Sequence, residues 1–154
     1  MKLKSLVLSA LSAALLTPAL AEDISMAAVP PIVQATIQQY QRGGKVDEIE
    51  SRTAEGQTWY EATVELQNDR ELQIHVRADG SLIKTSEEIT SEEIPVTVRA
   101  AVIQSAPQGK IDQVHRVLVD GQALIYKVKV DRAEGDDLNL TIAENGAVLK
   151  LVED

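Results

Sequence analysis

The same motifs return along this chain at a nearly constant spacing, and that repetition restricts the available folds more tightly than any other pattern in it. Val29-Pro30 recurs as Ile94-Pro95, and Gly44-Lys45-Val46-Asp47 as Gly109-Lys110-Ile111-Asp112, each 65 positions later. The turn Glu55-Gly56-Gln57 recurs at the same offset as Asp120-Gly121-Gln122, after which one residue is inserted and the offset becomes 66. That second offset carries Tyr60 onto Tyr126, Leu72 onto Leu138, Ile74 onto Leu140, and Val76-Arg77-Ala78-Asp79-Gly80 onto Ile142-Ala143-Glu144-Asn145-Gly146. Turns and apolar positions recur together and in order, so the chain uses one supersecondary unit twice.

Each copy begins with a helical pattern. Pro30 and Pro95 suit a first helical position, where the missing N–H would be unpaired in any case. Val33, Thr36, Ile37 and Tyr40 then share a face at helical spacing, as do Val98, Ala101, Val102 and Ser105. Gly43-Gly44 and Gly109 stop the two helices. Beyond them the period changes to two: Tyr60, Ala62, Val64 and Leu66 alternate with polar residues, as do Tyr126, Val128 and Val130. Leu72, Ile74 and Val76, with Leu138, Leu140 and Ile142, form the next strands. Asp79-Gly80 and Asn145-Gly146 are strong hairpin dipeptides, expected with positive φ at both central positions. Short closing strands follow at Ser81 to Thr85 and Ala147 to Val152. The expected fold class is α+β: two tandem repeats, each one helix followed by about four antiparallel strands, with the helices packed on one sheet face.

The N-terminus reads differently. Lys2 and Lys4 precede an apolar run from Leu6 to Leu16, and Pro18-Ala19-Leu20-Ala21 ends in small residues. This is the pattern of a secretory signal peptide over residues 1–21, with cleavage expected after Ala21, and the run is too short to span a bilayer. A periplasmic or secreted destination follows, without membrane insertion after cleavage. No cysteine stands at the site to take a lipid anchor. The remainder divides into repeat 1 at residues 22–88 and repeat 2 at residues 89–154. Losing Lys2 and Lys4 takes the formal net charge from −9 to −11, which argues against binding to nucleic acid or an anionic membrane surface. With no cysteine and no phenylalanine in the chain, a core of Val, Ile, Leu and Ala has to hold the fold without disulfides.

Catalytic chemistry has little to stand on. Neither His75 nor His115 lies in a local motif that supplies a nucleophile and an orienting carboxylate, and both read as strand residues at a solvated surface. The two histidines occupy non-equivalent points of the repeats and lack the spacing of a metal pair. Asp131, Glu134, Asp136 and Asp137 offer oxygen ligands, but not in the rhythm of a calcium loop. No cofactor motif is present. The acidic run from Ser86 to Glu93 reads as a solvated linker whose charges face the positive end of the second helix.

What remains is the polar side of the sheet. Trp59, Glu61, Thr63 and Glu65 point away from the apolar set of their strand, as do Gln73, His75 and Arg77 beside them and Ile125, Lys127, Lys129 and Asp131 in the second copy. If the copies join edge to edge these residues line one continuous open face. Trp59, His75, Arg77, Lys127 and Lys129 are its candidate partner-binding residues, Trp59 foremost because tryptophan is over-represented at binding hot spots.

The order Pro, helix, Gly-Lys-[Val/Ile], Gly turn, Tyr-x-[Ala/Val]-x-Val strand and [Asp/Asn]-Gly-x-[Leu/Val] resembles the PepSY domain group. The tandem arrangement is similar to its PepSY-like branch, which shares a fold with the β-lactamase inhibitor proteins. The resemblance covers essentially all of the chain after residue 21. It implies an exported, non-catalytic module, since relatives include inhibitory propeptide segments of thermolysin-like metallopeptidases, and a protein partner such as a peptidase or another envelope enzyme. A small-ligand or metal-ion-binding envelope protein is the alternative reading. The β-lactamase inhibitors of this fold use an aromatic-rich, disulfide-braced concave face. With no cysteine, one tryptophan and three tyrosines, this chain departs from that pattern.

Overall fold

The repeats lie side by side in a single antiparallel sheet. The computed structural model describes residues 20–154. In it nine strands follow one another as a meander: β1 (Leu20–Asp23), β2 (Lys45–Ala54), β3 (Gln57–Glu65), β4 (Glu71–Arg77), β5 (Leu82–Ile89), β6 (Lys110–Val119), β7 (Ala123–Asp131), β8 (Leu138–Ala143) and β9 (Val148–Glu153). Helix α1 (Pro31–Tyr40) leads into β2–β5, and helix α2 (Val96–Ser105) into β6–β9. The copies join where β5 pairs with β6, from Lys84 opposite Val119 to Ile89 opposite Val114.

Both helices cover the same side. Directly opposed residues of an antiparallel ladder share a face. Ile74 opposes Thr85, Leu72 opposes Glu87, Glu87 opposes Arg116 and Arg116 opposes Tyr126, so the apolar sets of both repeats project the same way. Under α1, Val33 and Ile37 are buried against Ala62, Val64, Ile74 and Val76. Under α2, Val98, Ala101 and Val102 are buried against Tyr126, Val128, Leu138, Leu140 and Ile142. The repeated Gly-Lys motif has a packing cause: a Cβ on Gly44 would lie 2.6 Å from a Val64 methyl, and one on Gly109 2.4 Å from a Val130 methyl. Only glycine lets the chain leave each helix this close to the second strand of its repeat, β3 or β7.

Several expectations are corrected. Pro30 and Pro95 cap the helices, which begin one residue later at Pro31 and Val96. Asp79-Gly80 and Asn145-Gly146 form turns with positive φ at the glycine alone. Gly80 N–H donates to Arg77 O at 2.9 Å and Arg77 N–H to Ser81 O at 2.9 Å, the bonding of a type I turn closed by a glycine bulge. Among the strand-to-strand turns, the paired positive φ values fall instead at Glu55-Gly56, Asn68-Asp69 and Asp120-Gly121. Leu20 and Ala21, on the leader side of the expected cleavage, belong to β1; residues 1–19 of the expected signal peptide lie outside the described residues.

The acidic run is not a linker. Ser86 to Ile89 extend β5, and Glu87 is the one charged residue buried among those described, only 4 % exposed. Arg42 Nη2 and Arg116 Nη2 each donate to Glu87 Oε2 at 2.7 Å, and Arg70 Nη1 lies 3.5 Å from Oε1. Arg42 follows α1, Arg70 lies between β3 and β4, and Arg116 belongs to the other repeat, so one carboxylate ties the copies together on the helix side. Burial pushes the Glu87 carboxyl up, but bonds from Arg116 and Arg42 outweigh it and hold it below the ordinary range. Glu93 takes Arg70 in turn, at 2.7 and 3.1 Å, and accepts the Thr90 N–H at 2.9 Å in a capping box. The Arg70 bond, then that from the Thr90 backbone, pushes Glu93 down to about 2.

Candidate functional site

The side of the sheet opposite the helices is open, and alternation decides what stands on it. Arg52, Trp59 and Arg77 are cross-strand neighbours on β2, β3 and β4; Glu50, Glu61, His75 and Lys84 form the next row, the last on β5. Glu61 gathers this group. The Trp59 indole N–H donates to Glu61 Oε1 at 2.9 Å, His75 Nδ1 lies 3.3 Å from the same oxygen, and Arg52 Nε donates to Oε2 at 2.7 Å. Burial pushes the Glu61 carboxyl up, but the Trp59 bond and the charges of His75 and Arg52 bring it below its ordinary value. Trp59 is therefore half-buried, with one ring edge pinned and the rest facing the open side.

His75 is more sheltered than a solvated strand histidine, its side chain 13 % exposed. Burial, then the Lys84 ammonium, push its imidazole below the usual value, against the pull of Glu61. Arg77 reaches Asp120 Oδ1 at 3.6 Å, on the turn between β6 and β7.

Lys127 and Lys129 stand apart, three strand positions from β4 and so roughly 14 Å away. Lys127 is flanked by His115 and Thr141, and Thr141 by Lys150. Lys129 is flanked by Gln113 and Asn139, with its Nζ 3.6 Å from Asp137 Oδ2. These side chains line a shallow hollow of about 230 Å³. A second hollow, of about 400 Å³, lies at the joint of the repeats between Arg70, Gln73, Ser86, Glu88 and His115. The five predicted residues thus share one face but fall into two groups, aromatic and mixed-charge on repeat 1, basic on repeat 2.

Arg52 and Lys150 belong to this face and were not singled out in the sequence, and His115, read there only as a strand histidine at a solvated surface, belongs to it too. For Arg52 the reason is a bulge between Val46 and Glu48, which shifts the parity of β2 so that Glu48, Glu50 and Arg52 face outward. At the β1 edge of the same face, carboxylate oxygens of Asp23, Glu48 and Glu50 lie within 4.8 Å of one another, and Arg52 already holds Glu50 at 2.5 Å. No helix among the described residues is long and apolar enough to cross a membrane.

Known proteins give this geometry a context. The chain is similar in fold to three solved structures at low identity. A DUF2874 family protein from Bacteroides ovatus is 20% identical over 80% of this chain and 86% of its own, with a TM-score of 0.62. A BLIP-like protein from Bacteroides fragilis is 18% identical over 80% and 85%, at 0.61. A Bacteroides eggerthii protein described as "putative periplasmic" is 16% identical over 81% and 88%, at 0.60. No curated protein matches the chain. A family model described as "Putative beta-lactamase-inhibitor-like, PepSY-like" matches twice, at residues 16–84 and 78–150, once for each repeat of the duplicated sheet. The chain belongs to this PepSY-like family.

Proposed function

We propose that this protein is an exported, non-catalytic binding module that engages a protein partner through the open sheet face and so inhibits or regulates a peptidase or another envelope enzyme. The observation that carries the reading is the pinned Trp59. A large aromatic ring held by Glu61 on a face that no helix covers gives up little conformational freedom on binding. Family membership and the periplasmic description of the eggerthii protein support export, as does the leader pattern at residues 1–21, with the mature chain beginning at Glu22. His75, Arg77, Lys127 and Lys129 extend the contact across both repeats.

The test is capture from an envelope extract of the source organism by immobilised protein of residues 22–154, with retained proteins identified by mass spectrometry. Trp59→Ala is expected to reduce selective capture at least tenfold while leaving the melting temperature within a few degrees. Equal capture by that variant rules out this face.

The alternative of ion binding is favoured by one observation, the carboxylates of Asp23, Glu48 and Glu50 at the β1 edge. It predicts a rise in melting temperature with millimolar calcium that Glu48→Gln abolishes. An unchanged melting curve removes it.

A further inference from the structure

The two repeats treat one strand in different ways. At the offset of 66 that relates the copies, Leu82 to Glu87 of β5 correspond to Val148 to Glu153 of β9. Both strands carry the same bulge, at Ile83 and Leu149, and the same lysine beside it, Lys84 and Lys150. β5 uses its far edge to pair with β6; β9 pairs with β8 alone among the described residues. Exposure follows: Leu82 is 8 % exposed and its counterpart Val148 43 %. Composition runs the other way. Where the covered strand has Thr85 and Ser86, the bare one has Leu151 and Val152, 50 % and 40 % exposed. A strand edge meant for water is blunted with polar residues, whereas this one is more apolar than its covered twin.

From this we infer that β9 is a dimerisation edge, pairing antiparallel with β9 of a second copy about a twofold axis at Leu151. A second copy is the occupant because the chain already completes the equivalent edge with a strand of its own repeat unit. Head-to-tail pairing of β9 with β2 is obstructed, since in the chain that begins at Glu22 the remaining β1 residues, Glu22 and Asp23, still pair with Ser51 and Glu50 at that edge. The isologous pairing remains, and it forms a closed dimer.

Two constraints bear on the register. The twofold axis keeps the faces of the joined sheets in phase only if it passes through a residue. Centring on Lys150 sets two ammonium groups opposite each other, while centring on Leu151 sets Leu151 against Leu151, Lys150 against Val152 and Leu149 against Glu153. The backbone agrees. Asp154 N–H donates to Asp137 O at 3.1 Å, so alternation aims the N–H and C=O of Leu151 away from β8, toward the free edge.

The absence of cysteine makes the test direct. In the protein of residues 22–154, Leu151→Cys places two thiols across the axis, at a Cα separation of about 5.5 Å that a disulfide spans. Leu149→Cys is at the more exposed position, 60 % against 50 % for Leu151, but its twin is four residues out of register, roughly 13 Å away and out of reach. Under mild oxidation Leu151→Cys is expected to convert mostly to a covalent dimer and Leu149→Cys less than a tenth as much, while the unmodified protein sediments as a dimer at 100 µM. Equal cross-linking of the two variants, or a monomer at that concentration with no cross-link, overturns the inference and leaves β9 as an edge for a strand of some other protein. The outcome is independent of Trp59, so it does not bear on the proposed binding face.

Discussion

At the scale of single residues, the open face turns on the triad of Trp59, Glu61 and His75, in which one carboxylate oxygen serves both the indole and the imidazole. The imidazole sits below its ordinary value of 6.5 because burial and then Lys84 disfavour its charge, with Arg52 adding to them and Glu61 opposing. The unfolded chain therefore binds a proton that the folded one refuses. Stability from neutral His75 is complete above pH 6.5 and is lost as pH falls from there through the lower folded value. The melting temperature of the protein is expected to fall between pH 7 and 5.5 more steeply than that of His75→Gln, and parallel curves would disprove the assignment. The single tryptophan offers a second readout: its emission should titrate below pH 6.5 in the parent and stay flat in the variant.

At the scale of elements, the apolar alternation of β3, β4, β7 and β8 was legible because those strands are regular and have one buried face. So was the outward placement of Trp59, His75, Arg77, Lys127 and Lys129, which follows from parity alone. The rest depended on partners that no local pattern announces. The bulge after Val46 hides Arg52, the glycine-only turn at Asp79-Gly80 changes how β4 and β5 meet, and Glu87 reads as one more acid in a charged run. Its burial becomes visible only once Arg42, Arg70 and Arg116 arrive from three separate places in the chain. That joint makes a stability prediction. Glu87→Ala leaves two guanidinium groups without their carboxylate and should cost about 2–3 kcal/mol in chemical denaturation. Arg42→Ala should cost less, because Arg116 still holds the carboxylate and Arg42 is 46 % exposed. Equal costs would mean the joint contributes packing and little charge pairing.

At the scale of the whole molecule, duplication produces one continuous sheet with both helices on one side, and the division of labour follows. The helix side holds the core and the Glu87 joint, while the opposite side carries two hollows, the pinned tryptophan and a row of basic residues. The central claim is that recognition belongs to the uncovered side. It is tested most directly by comparing capture from envelope extract by Trp59→Ala with capture by a control on the helix side, Ile103→Ala, whose side chain is 56 % exposed on α2. The same retained protein is expected to disappear with Trp59→Ala and to persist with Ile103→Ala. Loss with Ile103→Ala and retention with Trp59→Ala would contradict the claim and move recognition to the helices.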